Sequence, residues 1–170
     1  WLGDHGVALK GPMHYRSLIR VPFIWSDPVE SDTGRVSHEL AGSIDIARSV
    51  VERAGIAPFQ GMQGQAIGDI VSRGTASRHD GMIVEQTTRH FLPGMDRNIR
   101  LTSFVDARWR LTIWEAFDWG ELYDLREDPY EMRNLWNEPS HRQHREELML
   151  RMIRSTMTLQ DWSPVQVFAA

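Results

Sequence analysis

The first sixteen residues hold the side chains best suited to chemistry in this sequence. Lys10 is the only lysine, and it stands between Leu9 and a Gly11-Pro12 turn. A flexible ammonium held by such a turn is a compact positive charge that suits an oxygen of sulfate or phosphate. Spacing alone nevertheless favours an ordinary exposed lysine. The two interpretations of Lys10 at this point are therefore an anion-binding residue and a solvated one.

Two histidines and an aspartate lie close to Lys10 in the chain. His14 follows it by four residues, where it either lines the same pocket and hydrogen-bonds a substrate or its leaving-group oxygen, or is a structural histidine. Asp4 and His5 are residue types that bind divalent ions. Asp4 has an alternative role, because a carboxylate in a turn accepts backbone hydrogen bonds.

The elements that must position these residues come next along the chain. Residues 1–16 are predicted to be a loop that ends in a short helical turn near residues 14–18. A short apolar run predicts a mostly buried strand over residues 21–25. Asp45 is expected to cap a helix that presents Ile46, Val50, Val51 and Ala54 on one face and stops at Gly55. A second, shorter helix is predicted over residues 66–72.

From residue 81 the hydrophobic pattern changes to a period of two. Strands are predicted over residues 82–86, 100–105, 109–115 and 121–125, with a turn at 106–108, and together they indicate a small antiparallel sheet. Ser140 is expected to cap a closing helix whose inner face holds four apolar residues: Leu148, Met149, Met152 and Ile153. Trp109, Trp114 and Trp119 favour core packing or contact with another subunit over a carbohydrate platform, which leaves a homo-oligomer open. His141 and His144 are expected to be a solvated pair.

Composition limits the classes of partner and compartment. With 170 residues, of which 41% are hydrophobic and 25% charged, the chain can build a globular core. A net charge of −4 gives no general attraction to nucleic acid or to an anionic membrane, and no apolar run is long enough to span one. The absence of Cys fits a reducing compartment such as the cytoplasm without requiring it. Because the chain opens at Trp1 without an initiator Met, we expect a missing upstream part that leaves localisation open.

Short motifs follow one another in a fixed order over roughly residues 1–156. They are Leu2-Gly3-Asp4-His5, Lys10-Gly11-Pro12, Arg20-Val21-Pro22, Asp45-Ile46-Ala47, Ala54-Gly55-Ile56, Glu121-Leu122-Tyr123-Asp124-Leu125 and Asp128-Pro129-Tyr130-Glu131 with Asn134-Leu135. This order resembles the C-terminal portion of the sulfatases, the arylsulfatase-type enzymes of the alkaline phosphatase superfamily. One departure is Arg48-Ser49, where the family usually has Pro-Thr.

The resemblance implies a fold and a set of residue roles. The fold class would be α/β, with the C-terminal part of an alkaline-phosphatase-like α/β sandwich followed by a small antiparallel sheet packed with a C-terminal helix. Residues 1–75 would end the main domain, and residues 76–170 would form the antiparallel-sheet subdomain with its closing helix and tail. Lys10 would be catalytic and contact the sulfate group, and His14 would bind the substrate. Asp4 and His5 would support the metal ligands from behind without binding the metal.

The implied reaction is hydrolysis of a sulfate monoester, with a small-molecule sulfate ester as the partner. A divalent metal, calcium, and a formylglycine nucleophile are implied, and the residues that supply them are expected upstream of Trp1. Two alternatives stay open: a phosphonate monoester or phosphodiester hydrolase of the same superfamily, and a non-catalytic relative or inactive truncated product.

Overall fold

The computed structural model describes residues 3–6, 11–29, 34–88 and 98–160. The chain divides into two compact units, one formed by residues 1–23 and 81–155 and the other by residues 24–80 and 156–170. The junction at residues 80 and 81 lies close to the boundary expected after residue 75, although residues 1–23 group with the later segment. The division into a main domain and a subdomain stays a prediction.

The first unit is built on a four-stranded antiparallel sheet in the order β1-β2-β3-β4. The strands are β1 (Met82–Thr88), β2 (Ile99–Val105), β3 (Trp109–Trp114) and β4 (Gly120–Asp124), which confirms the predicted sheet. The tight turn between β2 and β3 is also confirmed. Asp106 Oδ1 accepts hydrogen bonds from the Arg108 and Trp109 amides at 2.8 and 2.7 Å, an arrangement that suits Asp at a turn.

The two faces of this sheet are covered by different parts of the chain. The register sets Phe104 beside Leu111 and Leu111 beside Leu122 on one face, where they form a core with Leu148 and Met152 of the closing helix. Because side chains alternate along a strand, the intervening residues lie on the opposite face. That opposite face, called the loop face below, carries Ser103, Arg110, Thr112, Glu121 and Tyr123.

The closing helix α4 spans Arg142–Thr158 and follows a 3-10 turn at Pro139–His141. Leu148 and Met152 are buried, and Met149 packs against the same core, as predicted. The prediction that Ile153 lies on the inner face of this helix is wrong, because its side chain is 55% exposed. Ser140 does not cap the helix as expected. It lies in the preceding 3-10 turn, where its hydroxyl hydrogen-bonds with His141 Nδ1 at 3.1 Å.

The N-terminal part of the first unit contains a 3-10 turn at Asp4–Gly6 and a short helix α1 over Arg16–Ile19. The predicted strand over residues 21–25 is wrong, because these residues have no regular secondary structure. Val21 and Ile24 are 69% and 86% exposed. A strand requires a neighbour for its backbone groups, and within the described ranges no strand pairs with this segment.

The second unit contains helices α2 (Ile44–Arg53) and α3 (Gly68–Arg73), which confirms both predicted helices. Gly55 follows α2 with a φ of 72°, a conformation that suits a glycine after a helix. Asp45 is the second residue of α2 rather than its cap, and Ser43 occupies the cap position. Among the described residues, no helix has both the length and the apolar character needed to cross a membrane.

Candidate functional site

The segment that contains Lys10 is bracketed by two described stretches that meet each other. His5 has a φ of 51°, and its ring stacks on that of Tyr15 with 3.6 Å between centroids and 8° between planes. This contact brings residues from both sides of Lys10 together. Lys10 itself lies outside the described residues, and of Asp4 only the backbone is described, so the predicted roles of both stay predictions.

His14 is fixed on the loop face of the sheet. It is 2% exposed, and its Nδ1 lies 2.9 Å from Ser103 Oγ in a hydrogen bond. Burial lowers the pKa of His14 to about 4, with the charge of Arg110 acting in the same direction and a hydrogen bond to Gln86 opposing it. His14 is therefore neutral near pH 7. A neutral imidazole can hydrogen-bond a substrate oxygen but offers it no positive charge.

A buried ion cluster lies on the same face. Arg110 is fully buried in β3 and donates to Glu121 Oε2 at 2.8 Å and to Glu131 Oε1. Burial alone would lower the pKa of Arg110, but the charges and hydrogen bonds of Glu121 and Glu131 raise it. The guanidinium also lies 4.7 Å from the Tyr123 ring centroid and 5.1 Å from that of Tyr15.

A hydrogen-bond chain joins this ion cluster to His14. Arg110 Nη1 donates to Thr112 Oγ1 at 2.7 Å, and Thr112 Oγ1 lies 2.6 Å from Ser103 Oγ, which in turn contacts His14. The sheet register explains the contact, because Ser103 pairs directly with Thr112. The N-terminal loop is thus attached to the sheet through side chains that the sequence separates by about ninety residues.

A separate polar cluster organises the second unit. Asp45 is fully buried and accepts hydrogen bonds from the Gly42 and Gln65 amides, both at 2.8 Å. Its Oδ1 also lies 2.8 Å from His79 Nε2. The carboxylate therefore connects three stretches of this unit, and we regard it as structural.

Sequence reasoning missed the partners of most of these groups. Glu121 and Glu131 stand out in the sequence only as parts of motifs, and no spacing in the sequence indicates the contact of His79 with Asp45. Arg110 carried a signal, because a charged residue inside an apolar β-branched and aromatic strand must find a buried partner. His141 and His144 are not a solvated pair: the His144 ring lies 4.3 Å from that of Trp109, and its Nε2 is buried. Trp109 and Trp114 are core residues, as predicted.

The described residues do not fit the implied divalent metal. Among them, no three His, Asp or Glu side chains are grouped closely enough to hold an ion. Arg110 suits an anion, but its charge is already matched by two carboxylates. A metal site in the full-length protein would need ligands from elsewhere.

Known proteins resemble this chain over most of its length. A curated relative, an N-acetylglucosamine-6-O-sulfatase of Bacteroides thetaiotaomicron, is 23% identical over 150 residues, which are 88% of this chain and 27% of the relative. A crystal structure described as a putative sulfatase from Bacteroides thetaiotaomicron superposes with a TM-score of 0.78 at 21% identity, covering 98% of this chain and 36% of that one. The phosphonate monoester hydrolase of Agrobacterium radiobacter gives a TM-score of 0.60 at 19% identity, covering 71% and 25% of the two chains.

These likenesses confirm the predicted fold class, the C-terminal part of an alkaline-phosphatase-like fold with a small antiparallel sheet and a C-terminal helix. The chain spans about a quarter to a third of the length of the proteins it matches. The family model of the N-sulphoglucosamine sulphohydrolase C-terminal region matches residues 3–158. The resemblance seen in the ordered motifs is thereby confirmed, and the chain belongs to this C-terminal family of the sulfatases.

Proposed function

We propose that the full-length protein is a sulfuric ester hydrolase that releases sulfate from a sulfated amino sugar. The family match over residues 3–158 carries this proposal. The choice of an amino sugar is supported by the description of the family and by the N-acetylglucosamine-6-O-sulfatase among the relatives. A phosphonate monoester is the second candidate substrate, favoured by the structural likeness to a phosphonate monoester hydrolase.

In the proposed site, Lys10 stabilises negative charge on the sulfate oxygens as the ester bond breaks. His14 is proposed to hydrogen-bond the substrate as a neutral ring, whereas its burial and its bonds to Ser103 and Gln86 favour the alternative of a structural histidine. Asp4 and His5 are proposed to support the metal ligands, and His5 is held for that role against Tyr15. The ligands of the divalent cation, calcium, and the formylglycine nucleophile are proposed to be supplied by residues other than the described ones.

The substrate proposal is tested by assaying the full-length protein with N-acetylglucosamine 6-sulfate, with N-sulfoglucosamine and with a phenyl phosphonate monoester. We expect release of sulfate from at least one sulfated sugar at a higher kcat/KM than release of phenol from the phosphonate. A preference for the phosphonate would support the second candidate. Absence of turnover on all three, with the protein folded, would indicate a non-catalytic relative.

The role of Lys10 is tested by Lys10→Ala in the same protein. Because the proposed contact strengthens as charge develops, kcat should fall about 10²–10³-fold, or roughly 2.7–4 kcal/mol, with a smaller change in KM. Lys10→Arg should rescue poorly, since a planar fork cannot take the place of a compact ammonium. Arg133→Ala, which removes an exposed cation paired with Glu138, is the matched control and should keep normal turnover. Near-normal turnover of Lys10→Ala would return Lys10 to the solvated interpretation.

A further inference from the structure

The carboxylates of the buried ion cluster are satisfied by a set of donors to which the N-terminal loop contributes. Glu121 Oε1 accepts from Trp114 Nε1 at 3.1 Å, and Glu121 Oε2 accepts from Arg110. Glu131 Oε1 also accepts from Arg110, while Glu131 Oε2 accepts from the backbone amide of Arg16 at 2.6 Å. Each of the four carboxylate oxygens therefore has a donor, and one of the four donors is the loop backbone.

Burial makes the fourth donor energetically important. Glu131 is 3% exposed, so in the docked loop its second oxygen depends on the Arg16 amide, and a small displacement of that amide would leave the oxygen without a donor. An unpaired buried carboxylate oxygen is costly, and this cost favours the docked position of the loop. The loop is thus held by a charged acceptor, the Glu131 carboxylate in the segment that follows β4, and not only by apolar contact.

The backbone of Glu131 supports the same interpretation. Its φ is 56°, in the left-handed region that side-chain-bearing residues rarely adopt. Glycine would adopt this conformation without strain. The side chain that occupies the position instead places one carboxylate oxygen on Arg110 and the other on Arg16, a bridge that glycine could not make.

We propose that Glu131 is a positioning residue that fixes loop residues 11–19 on the sheet and so sets the position from which Lys10 approaches the substrate. Two connections carry this effect. The first is the direct bond from Arg16 to Glu131, and the second is the chain from Arg110 through Thr112 and Ser103 to His14. Lys10 is bonded directly to Gly11, and the next residue, Pro12, is fully buried. This inference rests on the proposed function of Lys10.

The same connections link the tautomer of His14 to the direction of two hydroxyl hydrogen bonds. Arg110 can only donate, so Thr112 Oγ1 accepts from it, whereas either hydroxyl can be the donor between Thr112 and Ser103. We predict the order in which Thr112 donates to Ser103 Oγ and Ser103 donates to His14 Nδ1. In this order His14 carries its proton on Nε2. Nitrogen NMR of labelled protein near pH 7 should show the Nε2-H tautomer, and the Nδ1-H tautomer would contradict this direction of the chain.

The positioning role is tested by a double-mutant cycle between Glu131→Gln and Lys10→Ala in the full-length protein. Arg110 and Arg16 donate to different oxygens of Glu131, and in Gln one of these positions is an NH2 donor that faces a donor. We expect Glu131→Gln to lower kcat about 10²-fold, the loss that a misplacement of about 1 Å can produce, with less change in KM. In the Lys10→Ala background this loss should largely disappear, because the group being positioned is already absent.

The controls separate positioning from stability. Glu138→Gln makes the same substitution in an exposed ion pair with Arg133 and should leave kcat unchanged. Glu131→Asp keeps the charge that Arg110 requires but shortens the reach to Arg16, so it should fold and show a smaller, still non-additive loss of kcat. Hydrogen exchange should be faster in residues 11–19 of both Glu131 variants and unchanged in β1.

The outcomes are distinct. If Lys10→Ala lowers kcat and this loss multiplies with the loss of kcat from either Glu131 variant, Glu131 is only a structural residue and the positioning inference is overturned. Unchanged hydrogen exchange in residues 11–19 would overturn it as well. If Lys10→Ala itself turns over normally, the proposed function of Lys10 fails first, and the positioning role falls with it.

Discussion

His14 combines a titratable ring with almost complete burial, so its pKa depends on how the N-terminal loop is packed. Its exposed fraction is 2%, and burial lowers its pKa from 6.5 to about 4. In the unfolded chain the same ring regains the ordinary pKa. Between these two values the unfolded state binds more protons than the folded state, so the free energy of unfolding must fall as the pH falls.

We therefore predict a pH-dependent contribution of His14 to stability. The stabilisation from the neutral, buried ring is fully present above pH 6.5 and is lost as the pH falls towards about 4. Its size is at most about 3 kcal/mol. Urea unfolding of this chain at a series of pH values, beside the variant His14→Asn, measures it. Asn can still hydrogen-bond Ser103 but does not titrate, so the stability difference between the two proteins should change across this range. Parallel pH profiles would contradict the lowered pKa.

Helix α2 is the element whose burial differs most from its hydrophobic pattern. The α2 residues that are buried are Asp45 and Ser49, one turn apart, whereas Ile46 and Val50 are 45% and 53% exposed. Ser49 Oγ donates to the carbonyl of Asp45 and accepts from the Ile67 amide at 3.0 Å, which explains how a polar face can be buried. The apolar face stays available for other contacts.

We predict that the buried polar face of α2 stabilises this unit through the hydrogen bonds of Asp45. Asp45→Asn keeps the shape of the side chain but turns an amide group towards donors that need an acceptor. At about 1–3 kcal/mol for each donor left unpaired, the free energy of unfolding should fall by about 2 kcal/mol or more. Urea unfolding measures this loss.

A matched control is available in α3. Asp69→Asn removes the carboxylate of an exposed pair with Arg73, whose atoms lie 3.5 Å apart, and should change stability by less than about 0.5 kcal/mol. Equal losses for Asp45→Asn and Asp69→Asn would show that the hydrogen bonds of Asp45 contribute little.

At the scale of the whole molecule, several large apolar side chains are exposed. They include Val21, Ile24, Ile46 and Val50, and exposed apolar surface of this kind promotes association. We predict that this chain, purified alone, binds a hydrophobic dye or associates in a concentration-dependent manner. The triple variant Ile24→Ser, Ile46→Ser and Val50→Ser should bind less dye. A wild-type chain that is monomeric and does not increase the fluorescence of the dye would contradict the prediction.

The family resemblance also leads to a prediction about activity. The resemblance implies that the nucleophile and the metal-ligand pairs belong to segments that precede the motif found here as Leu2-Gly3-Asp4-His5. We therefore expect this chain by itself to be catalytically inert. An aryl sulfate assay tests this, and turnover that is abolished by a substitution within the chain would contradict it.

The sequence by itself determined the local elements and the family. Alternation of apolar and polar residues predicted the four strands, helical periodicity predicted α2 and α4, and the ordered motifs indicated the sulfatases. These signals are local, because strand and helix periods repeat within a few residues. The failures have a local cause as well: residues 21–25 have the composition of a strand, but composition does not show whether a pairing partner lies beside them.

Only the tertiary structure decided which polar groups meet. Arg110 reaches Glu131 across twenty-one positions, His79 reaches Asp45 across thirty-four and His14 reaches Ser103 across eighty-nine. Such pairings depend on strand register, on the left-handed backbone at Glu131 and on burial, and each of these depends on the packing of the whole unit. The sequence named Lys10 and His14 as candidates. The structure was needed to reveal that the loop carrying His14 is bonded to a buried ion cluster, because the desolvation of a charge depends on the residues packed around it.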